Sequence, residues 1–147
     1  MNFKNILFLF FLLMNFTQTF SYKIGDKISP EILSSLGVKK SKVYLNFSTT
    51  WCSLCIGEKI KLQQYYETNI KNSSQIDLLV IYGPHRGDTS QIVEEYISTN
   101  NYSFPFYYDR DKSLATKFKV KKVPTTFYIE NGILKNIHMR EYPFENK

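Results

Sequence analysis

The chain has 147 residues, 19 Lys and Arg against 13 Asp and Glu for a formal net charge of +6, and 43% hydrophobic residues. That length suits a single domain with its own core. The basic excess is scattered, with Lys39, Lys40 and Lys42 before a strand and Lys117, Lys119, Lys121 and Lys122 around a helix end. This argues against a nucleic-acid surface, which needs denser clustering with interleaved exposed aromatics.

In chain order, the first segment carries one Lys (Lys4), no acid, and an unbroken apolar run from Ile6 to Met14 that Asn15 interrupts. With small side chains at Thr19 and Ser21, it reads as an export signal over residues 1–21, cut near Ser21 and Tyr22; a retained anchor is the alternative. The run is shorter than the ~18 apolar residues of a spanning helix. The domain proper is then 22–147.

Val43 to Phe47 is a short apolar strand, bounded by lysines and a Ser-Thr-Thr turn. It leads into Trp51-Cys52-Ser53-Leu54-Cys55, which holds both cysteines of the chain. From Cys52 to about Ile70, the positions of Leu54, Ile60, Leu62, Tyr65, Tyr66 and Ile70 fit a helix. Ile76 to Tyr82 is a near-continuous apolar strand, as expected where both sheet faces are covered. Pro84 to Gly87 is a loop, and Arg86-Gly87-Asp88 reads as a chance tripeptide in it. Asp88 or Thr89 caps a helix through about Thr99, with Asp88 and Gln91 spaced as a capping-box variant. Phe104 to Tyr108 contains Pro105 and reads as an edge strand or turn. Ser113 to Phe118 makes a short helix. Thr125 to Ile129, Asn131-Gly132 and Ile133 to His138 form a hairpin, because Asn-Gly supplies the positive φ values of a two-residue turn.

Two thiols at this spacing serve either reversible dithiol/disulfide exchange or half of a metal site. A structural bridge across two residues gains little, since the constraint on the unfolded chain grows with loop size. A pair this close is a working couple. At the first turn of a helix, unpaired N–H groups and the positive dipole end favour a thiolate, which makes Cys52 the nucleophile. Cys55 lies one turn further in, placed to resolve a mixed disulfide.

Glu58 is three residues beyond Cys55 and shares its helical face. Beneath the pair, a carboxylate would raise thiol pKa values and exchange protons with Cys55. The competing reading is an exposed Glu pairing with Lys61 or Lys59. Trp51 either shields the thiols and shapes a client groove or simply packs. His85 and His138 lack partners at ligand spacing, so no metal is expected. The Asn-X-Ser matches at Asn46, Asn72 and Asn101 are expected in an Asn-rich chain.

The cysteine pair after the first core strand, Glu58, the later Val123-Pro124-Thr125-Thr126-Phe127 and the Asn131-Gly132 hairpin together resemble the thioredoxin superfamily. The closer likeness is to its exported TlpA/ResA-like branch. The resemblance covers nearly all of residues 22–147. It implies an α/β, thioredoxin-like fold, with a central mixed sheet flanked by helices. It also implies that Pro124 follows a cis bond and faces the cysteines, that Val123 offers its backbone to an extended client, and that Glu58 is functional. Asn46 occupies the position where thioredoxin itself keeps a buried acid, which shifts proton transfer towards Glu58. The chain departs from the family pattern in having Leu54 and Ile60 where prolines are frequent. It has only eight residues after Met139, so the final helix should be shortened or missing, with one sheet face thinly covered.

The implied activity is periplasmic thiol–disulfide exchange without a cofactor, in the direction of reduction. Clients with exposed thiols or disulfides, of the cytochrome c maturation or copper-site assembly type, and a membrane-embedded thiol reductase are the implied partners. The alternatives are a disulfide donor, which needs a strongly stabilised Cys52 thiolate, and a Cu(I) carrier, for which a third soft ligand is not visible.

Overall fold

A computed structural model describes residues 21–144. The N-terminal run read as an export segment lies outside the described residues. The chain runs α1 (Pro30–Ser35), β1 (Lys42–Phe47), α2 (Ser53–Tyr65), a π-helical turn (Tyr66–Ile70), β2 (Ile76–Tyr82), α3 (Ser90–Thr99), β3 (Phe106–Tyr108), α4 (Ser113–Lys117), β4 (Thr125–Glu130) and β5 (Ile133–Met139). The strands form one sheet in the order β3-β2-β1-β4-β5. β1 is parallel to β2 and antiparallel to β4, so the sheet is mixed, as expected. β3 pairs in parallel with β2 at the edge, where Pro105 costs no ladder bond.

Alternation along the central strands feeds two cores. Val43, Leu45 and Phe47, with Leu79, Ile81 and the cross-strand Phe127 and Ile129, pack with Phe118 on one side. Leu78, Val80 and Tyr82 face Leu62, Ile70, Val93, Ile97 and Phe104 on the other. Both faces are covered, which is why β2 reads as a continuous apolar run.

Several local features carry their own cause. Asn131 (φ 51°) and Gly132 (φ 75°) supply the positive φ pair that joins β4 to β5. The helix begun at Ser53 widens at its end, where the Lys71 N–H donates to the Tyr66 carbonyl at 2.9 Å. That wider turn seats Ile70 in the core at 1% exposure. α1 opens on Pro30, a favoured first helical residue, and its Ile32 and Leu33 pack on the first core. The expected capping box before α3 does not form. Thr89 alone caps, accepting from the Ile92 N–H at 3.2 Å, while Asp88 turns away to the cysteine loop.

No helix follows β5 among the described residues. The sheet face expected to be thinly covered is instead closed by an aromatic tail. The Phe144 ring lies 4.5 Å from that of Tyr65 and 4.7 Å from that of Tyr44, and Tyr142 packs on it at 5.2 Å. Among the described residues no helix is long and apolar enough to cross a membrane.

Candidate active site

The cysteine pair sits where β1 hands over to α2 at the middle of the sheet. Cys52 is the N-cap of α2, in extended conformation, and its Sγ accepts from the Cys55 N–H at 3.3 Å. The thiol itself therefore satisfies one of the unpaired first-turn donors. Cys52 is half-buried and Cys55 fully buried, and both are free thiols. Burial, reinforced by its hydrogen bond to Cys52, pushes the Cys55 thiol up to about 11. The two sulfurs are chemically unequal: one reaches solvent, the other is a proton-holding thiol.

Val123 and Pro124 stand opposite. The Val123–Pro124 peptide bond is cis, and the Cys52 thiol donates to the Val123 carbonyl at 3.8 Å. Thr125 Oγ1 donates to the Lys122 carbonyl at 2.7 Å, and the Arg140 N–H to the Pro124 carbonyl at 2.8 Å, fixing this corner from both sides. Pro124, Ser53, Leu54, Gly57 and Glu58 line a cleft of about 310 Å³ that Lys61 and Arg140 flank.

Glu58 is not the exposed residue of the competing reading. It is 7% exposed, and its Oε2 accepts from Asn46 Nδ2 at 3.1 Å. Asn46, from the central strand, also donates to Thr126 Oγ1 of β4 at 2.9 Å. Burial pushes the Glu58 carboxyl above the usual carboxylate range, opposed by Lys59 and Asn46. Its Oε1 is buried without a partner among the described residues.

The lysine beside it corrects the surface picture. Lys59 is fully buried, with Nζ 2.9 Å from Asn46 Oδ1 and 3.6 Å from Glu58 Oε2. Burial pulls its ammonium down, and Glu58 is the main group opposing that pull. Lys61, the other partner considered, instead lies 5.4 Å over the Tyr142 ring. The signal for Lys59 was present: four residues after Cys55, it shares that buried face.

Trp51 keeps 39% of its surface exposed at the rim. Its Nε1 donates to the His85 carbonyl at 3.1 Å, and the Arg86 guanidinium stacks 4.2 Å over its ring. Asp88, 5% exposed, accepts from both the N–H (3.1 Å) and the hydroxyl of Thr50, two residues before Cys52. The tripeptide read as chance therefore clamps the cysteine loop. No spacing rule links residues 38 apart, so Asp88 had no local signal. Among the described residues no group of three or more His, Cys, Asp or Glu side chains is placed to share a metal ion.

Known proteins resemble this chain in sequence and fold. A model of the AhpC/TSA family aligns with residues 12–137. The chain is 27% identical to the sporulation thiol-disulfide oxidoreductase A of Bacillus subtilis over 95 residues, 65% of this chain and 56% of that protein. It is 30% identical to the thiol-disulfide oxidoreductase ResA of Geobacillus kaustophilus over 131 residues, 83% of this chain and 72% of the relative. The crystal structure of StoA from Bacillus subtilis superposes with a TM-score of 0.63 at 25% identity, covering 69% of this chain and 75% of that one. The chain thus spans little more than half the length of the first of these relatives. With the family match running from ahead of the sheet into its last strand and across both cysteines, the chain belongs to the AhpC/TSA family and carries its thioredoxin-like α/β fold.

Proposed function

We propose that the chain is an exported protein thiol–disulfide oxidoreductase that works in the periplasm as a reductant of client disulfides. The observation that carries the reading is the inequality of the two sulfurs: Cys52 half-buried at the helix N-terminus, Cys55 sealed one turn below it. The names of the relatives support the reaction class. The basic, short apolar N-terminal segment supports export.

In the first step the Cys52 thiolate attacks one client sulfur. The client S–S bond breaks, a mixed disulfide forms, and the released client thiolate takes up a proton. In the second step the Cys55 thiol gives its proton to the Glu58 carboxylate, and the resulting thiolate attacks Cys52 Sγ. The mixed disulfide breaks, the Cys52–Cys55 bond closes, and the second client thiolate leaves and is protonated. Two electrons pass to the client, and a membrane-embedded dithiol reductase returns them. Val123 holds an extended client segment by its backbone, while Pro124 and Trp51 wall the approach. Clients of the cytochrome c maturation or copper-site assembly type follow from the resemblance to the TlpA/ResA-like branch.

Equilibration with glutathione, followed by a thiol gel-shift, tests the direction. A reductant has a potential clearly below the ~−120 mV of the strongest oxidases. A value near that limit makes the protein a disulfide donor instead.

A further inference from the structure

Lys59 takes no part in the exchange steps above, yet it is a lysine with no exposed surface directly beneath them. Lysines are almost never fully buried unless paired. An apolar residue of similar length would fill the same space without the desolvation cost, so packing alone gives no reason for an ammonium here.

The surroundings of Lys59 are sparse and specific. The titratable groups facing it are Glu58, Cys55 and Cys52, all on α2 or its cap. β1 contributes the neutral Asn46, which β4 steadies through Thr126. The Asn46 amide divides its two ends: Oδ1 accepts from Lys59, while Nδ2 donates to the Glu58 oxygen that also faces Lys59. One carboxylate oxygen is thereby fixed by the amide and the ammonium together. The other, Oε1, is left unpaired on the residue that lines the cleft.

We propose that Lys59 is a positioning residue for thiol exchange, its buried ammonium holding the Glu58 carboxylate charged and oriented so that Oε1 accepts the Cys55 proton at neutral pH. The inference rests on the redox reading of the cysteine pair. In the resolving step the proton moves from Cys55 Sγ to Glu58, the Cys52–Cys55 bond forms as the mixed disulfide breaks, and Lys59 keeps its proton throughout. Without the ammonium, no charge opposes the effect of burial, and the carboxyl is driven further towards its protonated form, which cannot take the Cys55 proton.

The test is a stopped-flow reaction of the reduced full chain with an aromatic disulfide that releases a coloured thiolate. The first release reports attack by Cys52, and the second reports resolution by Cys55. The rate of the second phase is followed from about pH 5 to pH 9, on both sides of the neutral pH near which a tuned catalytic base works best. In Lys59→Met the acid limb of that phase moves up by a pH unit or more, roughly a tenfold loss at any pH on the limb. Lys59→Gln, which keeps a polar group beside Asn46 but no charge, moves it the same way. Glu58→Gln removes the limb, and adding Lys59→Met to it changes nothing further. An unmoved limb in Lys59→Met overturns the proposal, as does a wild-type profile in Lys59→Gln. An equal effect of Lys59→Met with and without Glu58 also overturns it. A second phase that survives in Cys55→Ser overturns the redox reading itself, a different result from any of these.

Discussion

Asp88 and Thr50, 38 residues apart, are joined by two hydrogen bonds, with the Asp88 carboxylate accepting from both the N–H and the hydroxyl of Thr50. Both residues lie against the loop that presents Cys52, and the backbone carbonyl of Asp88 accepts from the Tyr108 hydroxyl at 2.9 Å. The edge strand β3 is thereby tied to the cysteine loop. Asp88→Ala strips two donors of their partner in a part-buried place, at a cost of about 1–3 kcal/mol in urea unfolding. Asp88→Asn, which keeps an acceptor, costs less. Equal stability of Asp88→Ala and wild type would show that the clamp carries no weight.

The trapping experiment separates the two thiols. Cys55→Ser leaves Cys52 able to attack but nothing to resolve the product, so mixed disulfides through Cys52 accumulate on non-reducing gels. Cys52→Ser leaves only the sealed thiol and traps none. Equal trapping by both variants contradicts the assignment.

The buried thiol also sets a pH dependence. With Cys55 raised from about 9.0 to about 11 in the folded protein, iodoacetamide labels it negligibly at neutral pH and only as the pH approaches that upper value or after unfolding. A raised folded-state pKa contributes stability that is fully present below the unfolded value and is lost as pH rises through the folded one. The reduced protein therefore weakens between about pH 9 and 11, and Cys55→Ala removes that part of the decline. Thermal melts across this range of pH read it directly.

Phe144 tests whether the aromatic tail stands in for a final helix. It is 6% exposed and rests on Tyr44 and Tyr65. Phe144→Ala should cost about 3 kcal/mol, the lower end for truncating a buried Phe. A melting temperature equal to wild type would leave that face without need of the tail.

Much of this molecule was legible in its residues. The strand limits Ile76–Tyr82, the hairpin at Asn131-Gly132 and the helix after Cys52 follow from periodicity and turn chemistry, which act over a few residues. The place of Cys52 and Cys55 followed the same way, because a helix start is a local event. What escaped were partnerships across the sheet. Lys59 shares a readable face with Cys55, but its polar partner Asn46 reaches it from β1, and the clamp by Asp88 depends on a loop that folds back from β2. The covering of the second sheet face by Tyr142 and Phe144 depends on a tail with no period of its own. Glu58 lay between these cases: its helical face and a pairing with Lys59 were readable, but the burial of both was not.

The pairing of Asn46 with Thr126 joins residues 80 positions apart. β1 and the cysteines leave the ribosome long before β4, which supplies both Thr126 and, just ahead of it, the Val123 carbonyl facing Cys52. During synthesis, then, the thiols emerge with neither their lid nor the amide network beneath them completed. Only when the last hairpin pairs with the central strand are the carbonyl opposite Cys52 and the contact from Asn46 to Thr126 both in place.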